Sequence, residues 1–194
     1  MNKFFNTLEL YPKLELIKDY IKDIKSEIST NINKWTEWCE SILQDENNGW
    51  KVIPIYGFNN WTKESENFKN LKEFIIKINE NNDIKLVIIS KLESDTVLEP
   101  HRGWGTHSNF VIRNHYGIEI PDNCGIWVEG DKKKHLQDDW ISFDDSKFHS
   151  AYNLSEKDRI VLIIDISRPP NIPLGTSQTK CTKELECFID FHKK

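Results

Sequence analysis

The apolar pattern of this chain changes period near Asp83, and no other feature restricts the fold as much. Upstream, apolar residues recur at Leu14, Ile17, Ile21, Ile24, Ile28, Ile32 and Trp35, in steps of three and four. The same spacing puts Phe68, Leu71, Phe74, Ile75 and Ile78 on one face. Those steps predict two amphipathic helices, Leu14 to Leu43 and Asn67 to Ile78. Downstream, short strand-like segments take over: Ile84 to Ser90, Asn109 to Ile120, Gly125 to Glu129, Trp140 to Phe143 and Arg159 to Ile166, parted by Pro, Gly, Asn and Asp. An earlier strand, Trp50 to Tyr56, follows a turn at Asn47-Asn48-Gly49, and Pro54 suggests an edge position for it. The tail, Thr179 to His192, can form a last helix with Leu185, Phe188 and Ile189 inward. Helices followed by many short strands predict a mainly β fold with flanking α-helices, a small barrel or jelly roll.

At 194 residues the chain suits a single domain. The expected division is a helical region over 1–48, a β-barrel core over 50–170 and a tail over 171–194. Net charge is −5, with Lys and Arg scattered among Asp and Glu, so there is no basic footprint for nucleic acid. No apolar run approaches the ~18 residues of a spanning helix. The start, Met1 to Asn6, lacks the apolar stretch of a secretory signal. A cytoplasmic protein without a membrane partner is expected. Cys39, Cys124, Cys181 and Cys187 form no C-x-x-C pair, which predicts reduced thiols rather than a zinc site, with a Cys181–Cys187 bridge as the alternative. The oligomeric state is not legible, because the first helix can pack at home or mediate a dimer.

Candidate chemistry lies in the second half. His101 and His149 fall beside strand-like segments in turn-rich settings, where a barrel mouth presents metal ligands. Arg159 follows His149 by ten residues and opens an apolar strand, sharing a face with Val161, Ile163 and Asp165. A charge pointing into a barrel needs a partner; a bound carboxylate supplies one in bidentate form, and an internal salt bridge or a solvated strand end are the alternatives. In the strand Asn109 to Ile120, Val111, Arg113, His115 and Gly117 share one face, which is too polar for a simple core face. Imidazoles suit Fe(II), and the usual oxygenase site adds a carboxylate two residues after the first histidine. Here that residue is Gly103. Asp144 and Asp145 read as turn formers or as acceptors behind the ligands.

His101-Arg102-Gly103, Arg113-Asn114-His115, Phe143-Asp144-Asp145-Ser146-Lys147-Phe148-His149 and Arg159 together resemble the aspartyl/asparaginyl β-hydroxylases, a family of Fe(II)/2-oxoglutarate-dependent dioxygenases. The resemblance covers about 84–170. It implies a double-stranded β-helix, cupin-like, and makes Gly103 expected, since the family holds iron with two histidines. His101 and His149 would be the metal ligands. Arg159 and Ser90 would take the far carboxylate of 2-oxoglutarate, while Arg113 and His115 would hold its other end or the substrate; Tyr56 falls near the family's aromatic pocket residue. O2 would be the co-reactant.

The stretch between His101 and Arg113 is a few residues longer than in animal members, around Trp104-Gly105-Thr106-His107. His107 is expected to be a solvated loop histidine, with substrate contact as the alternative. The chain also lacks the membrane anchor and helical repeats of animal members and the hydrophobic segments of lipid A hydroxylases. A peptide, protein or small amino-acid-like substrate is therefore expected, and Arg102, Arg113 and His107 suggest that it carries an anionic group. The rival readings are a non-catalytic cupin-like binding module, a hydroxylase of a lipid-linked acyl group, and a cupin-like metal isomerase.

Overall fold

The computed structural model describes residues 2–44 and 49–192; the expected turn residues Asn47 and Asn48 lie outside them. Among the described residues twelve strands form: β1 (Phe4–Phe5), β2 (Thr36–Glu37), β3 (Trp50–Gly57), β4 (Asn60–Trp61), β5 (Ile84–Leu92), β6 (Thr96–Val97), β7 (Val111–Glu119), β8 (Cys124–Val128), β9 (Asp131–Lys134), β10 (Trp140–Phe143), β11 (His149–Asn153) and β12 (Arg159–Ser167). The α-helices are α1 (Thr7–Leu10), α2 (Ile17–Thr30), α3 (Lys69–Ile78), α4 (Gly105–Ser108) and α5 (Lys183–His192). The large sheet runs β1-β10-β7-β12-β5-β3-β2, with β4 also on β3, and the small sheet runs β6-β11-β8-β9. Every pairing between these strands is antiparallel.

Strand alternation sorts the large sheet into two faces. Along β12, Ile160, Leu162, Ile164 and Ile166 join one core with Ile17, Ile24 and Ile28 of α2 and Leu71, Phe74 and Ile75 of α3. Val161 and Ile163 join a second core with Ile126, Val128 and Ala151 of the small sheet. The helices thus back the outer face, and the space between the sheets belongs to the inner one. Full burial of each Ile or Phe in the first core is worth roughly 1.5–3 kcal/mol, so the outer face holds the helices firmly. Arg159, Asp165, Arg113, His115 and Ser90 share strand parity with the inward residues, and all but Arg113 are buried below a tenth exposed.

Several expectations need correction. The first helix ends at Thr30 rather than Leu43. Ile32 is 72% exposed, and a single 3-10 turn leads into the short strand β2. Asn31 stops the helix by bonding its side chain back to the Glu27 carbonyl. Pro54 does not mark an edge strand, because β3 pairs with β5 on one side and with β2 and β4 on the other. It sits instead at a register shift, between the stretches paired to β2 and β4. That position needs no N–H from it. β9, an exposed Lys-rich strand, escaped the apolar pattern altogether. Cys39, Cys124, Cys181 and Cys187 are free thiols. Among the described residues, no helix is long and apolar enough to cross a membrane.

Candidate active site

His101 and His149 meet across the mouth of the barrel. Their backbones form an isolated antiparallel bridge, with N–H to O distances of 3.0 and 2.9 Å, and their ring centroids lie 4.4 Å apart. His149 opens β11 rather than sitting in a turn. The Nδ1 of His101 lies 2.6 Å from the Glu99 carbonyl, and that of His149 lies 2.9 Å from the Lys147 carbonyl. A carbonyl accepts only, so each Nδ1 carries the proton and each Nε2 keeps its lone pair, the form a metal requires. Burial pushes both pKa values down, to about 3 for His101 and about 4 for His149, so neither is protonated at neutral pH.

A cavity extends inward from these rings, lined by Trp50, Ser90, Arg113, His115, Ile163 and Arg159 among others. At its inner wall Arg159 is 1% exposed, and its Nε and Nη1 have no protein partner. Burial lowers its pKa to about 10, which still leaves it charged. The Trp50 indole N–H donates to the Ser90 hydroxyl at 3.1 Å, which aims that oxygen and leaves its own proton available. His115 sits beside them with Nε2 likewise without a partner. Among the described residues, no carboxylate makes an ion pair with Arg159, in contrast to Arg113 and Arg168.

Arg113 is already committed. Its Nε and Nη2 donate to Asp165 at 2.8 and 2.7 Å, and its Nη1 lies 2.6 Å from Asp145. Burial favours the neutral form of Asp165, but Arg113 and His107 outweigh it and hold the carboxyl well below its usual range. For Asp145, burial wins over Arg113 and raises the pKa. The His107 expectation is overturned. His107 is buried, its Nε2 bonds Asp165 at 2.8 Å, and its ring stacks on Trp104. The longer stretch folds into α4 and is clasped by the tail, with Gly105 N–H donating to the Thr179 carbonyl at 2.8 Å. Arg113 and His107 therefore offer no free positive charge to a substrate. Arg102 remains at the rim, over the ring of Phe148 and near Glu129.

Gly103 has a steric cause. A Cβ there would collide with the Asp145 carboxylate and with Ser108 Cβ. Asp145, whose Oδ1 lies 3.4 Å from His149 Nε2, fills the space an acid at position 103 would need. Asp144 turns away and pairs with buried Arg168 at 2.7 Å. Among the described residues, no group of three or more His, Cys, Asp or Glu is arranged to hold a metal; the two imidazoles, neutral and with lone pairs facing one cavity, are the donor set that fits one.

Tyr56 does not reach this cavity. It lines a second pocket, with Trp38, Ile88, Trp104, Leu185 and Phe188. Trp50 and Phe143 line the first instead, with Trp50 stacked on Trp38 at a centroid distance of 4.6 Å. Trp50 was legible as a strand residue, and the abundance of tryptophan suggested core or pocket walls without singling it out. His135 was also missed as a neighbour of the site, because contact across strands leaves no trace in sequence spacing; Asp145, expected as a turn former or an acceptor behind the ligands, lies beside His149.

A model of the aspartyl/asparaginyl beta-hydroxylase family matches residues 18–169. The chain belongs to that family. Aspartate beta-hydroxylase domain-containing protein 2 of Xenopus tropicalis is 33% identical over 103 residues, 52% of this chain and 26% of that protein. Ornithine lipid ester-linked acyl 2-hydroxylase of Rhizobium tropici is 28% identical over 127 residues, 64% of this chain and 43% of that protein. The chain spans less than half the length of either relative. Among solved structures, a Pseudomonas putida prolyl-4-hydroxylase matches with a TM-score of 0.51 over 78% of this chain and 88% of that one, at 8% identity. That likeness shows the jelly-roll fold this member of the family shares with it.

Proposed function

We propose that this protein is an Fe(II)/2-oxoglutarate-dependent dioxygenase that hydroxylates a C–H bond of its substrate. The observation that carries the reading is Arg159, a buried cation whose Nε and Nη1 have no protein partner, lining the same cavity as two neutral imidazoles. A buried charge left alone costs several kcal/mol, and a dicarboxylate bound between Arg159 and the histidines relieves that cost. In this reading His101 and His149 hold the metal through Nε2. Arg159 and the Ser90 hydroxyl take the far carboxylate of oxoglutarate, with His115 beside them. Iron, with oxoglutarate and O2, supplies the oxidation that places one oxygen atom on carbon and leaves succinate and CO2. Arg113 acts differently from the sequence expectation: tied to Asp165 and Asp145, it fixes Asp145 beside His149. Trp50, Leu98 and Phe143 wall the cavity and keep water from it.

The sequence resemblance favours an aspartyl or asparaginyl residue of a peptide or protein, or a small amino-acid-like molecule, as substrate. A second reading is favoured by the apolar pocket walled by Trp38, Tyr56, Leu86, Ile88, Leu185 and Phe188, which shares one apolar core with the inner cavity through Trp38 and Trp50. An acyl chain suits such walls better than a carboxylate does, and the Rhizobium tropici relative is named for an acyl 2-hydroxylation. The first test is succinate formation after anaerobic Fe(II) loading and admission of air, with His149→Ala as control and with Asp-containing peptides and acyl conjugates compared as stimulants. Absence of both iron and oxoglutarate binding in the wild-type protein would sink the enzyme reading in favour of a binding module.

A further inference from the structure

His135 lies between β9 and β10, is 1% exposed, and does not line the inner cavity. Its Nε2 is 3.3 Å from Nδ1 of His115, and the two rings meet edge to edge, with centroids 5.5 Å apart and planes 14° from parallel. Its backbone N–H donates to the Cys124 carbonyl at 3.0 Å, which pins the segment that carries it. The outer nitrogens, Nε2 of His115 and Nδ1 of His135, have no protein partner. Burial and the nearby Arg159 guanidinium push both pKa values well below the ordinary histidine value, so both rings are neutral at physiological pH.

Two neutral imidazoles joined at one pair of nitrogens have a single proton between them, and it can sit in two ways. If His115 donates from Nδ1, its Nε2 becomes a bare lone pair and repels a carboxylate. If His135 donates from Nε2, His115 must carry its own proton on Nε2 and becomes a donor to that carboxylate. Only the second arrangement suits an anion lodged beside Arg159. We infer that His135 is a positioning residue that fixes the tautomer of His115, so that His115 Nε2–H, the Arg159 guanidinium and the Ser90 hydroxyl together bind the carboxylate of the cosubstrate. This inference rests on the oxoglutarate reading above.

The test has two readouts. Nitrogen-15 spectra of the histidine rings in metal-free wild-type protein report which nitrogen of His115 carries its proton, and the expected answer is Nε2; a proton on Nδ1 overturns the inference without any variant. Separately, oxoglutarate is titrated calorimetrically into Mn(II)-loaded wild-type, His135→Phe and His135→Gln proteins. The phenyl ring keeps a planar ring in the same buried place and removes the donor, so affinity should fall roughly ten-fold, the worth of one hydrogen bond to a charged group. The glutamine amide restores an N–H near the Nε2 position and should recover most of that loss. Equal affinity in all three, or equal loss in both variants, overturns the role. Failure of the wild-type protein to bind oxoglutarate would instead remove the cosubstrate reading on which it stands.

Discussion

Replacing Arg159 by Met should make the ligand-free protein more stable and its cosubstrate binding much weaker, opposite signs from one change. Arg159 is 1% exposed and opens a strand whose other inward residues are Val161, Ile163 and Asp165. Its Nε and Nη1 have no protein partner, and burial already lowers its pKa to about 10. Methionine keeps an unbranched stem of similar reach and removes the buried charge, so unfolding free energy should rise by about 1–4 kcal/mol, as for other buried charges exchanged for apolar residues. For a domain of this size that is a shift of about 2–4 °C in Tm per kcal/mol. Oxoglutarate should lose about 2–5 kcal/mol of binding, roughly 30- to 5,000-fold in Kd. Thermal unfolding with Mn(II), with and without oxoglutarate, measures both, because ligand-induced stabilisation disappears when binding does. A variant with lower Tm and unchanged oxoglutarate affinity would refute the reasoning, since it would show that Arg159 is satisfied by the fold and serves it.

Gly103→Ala should destabilise the protein by about 1–3 kcal/mol in urea, as overpacking does, because its Cβ has no room beside Asp145 and Ser108; unchanged stability would show that Asp145 leaves that space free. Asp144→Ala strands the buried Arg168 guanidinium and should cost about 3–5 kcal/mol, with the urea midpoint as the check. The metal-free protein should lose stability as pH falls. Folded pKa values of about 3 for His101 and about 4 for His149 lie below the ordinary value near 6.5, and His115 and His135 shift the same way. The unfolded chain therefore takes up protons first. The stabilising contribution is complete above pH ~6.5 and is lost on descent toward pH ~4, at no more than ~1.4 kcal/mol per pH unit per histidine. A urea midpoint independent of pH between 7.5 and 5 would contradict the buried neutral rings.

Much of the fold was legible before any coordinates. Trp140–Phe143 forms at the expected bounds, and β5, β7, β8 and β12 lie within two residues of theirs. The strands that escaped, β1, β2, β4, β6, β9 and β11, are two to five residues long and carry little apolar pattern. They exist because neighbouring strands template their hydrogen bonds. The overlong first helix has a similar origin: Ile32 and Trp35 fit the helical spacing by residue type, but the chain has already turned toward β2.

At the site, the line between sequence and structure follows chemistry on one side and contact on the other. Residue types and two-residue alternation nominated His101, His149, Arg159 and His115 and put Arg159 on the inward face, because strand parity is a property of the backbone alone; Ser90 came from the family resemblance. Which charges are spent and which are free was decided only by tertiary structure. Arg113 and Arg159 look alike in sequence, each an arginine on an inward face. Register sets Asp165 opposite Arg113 and brings Asp145 within reach of it. Opposite Arg159 it sets Leu92. One cation is neutralised by the fold and the other is left, among the described residues, without a carboxylate partner, because pairing across strands depends on residues dozens of positions away.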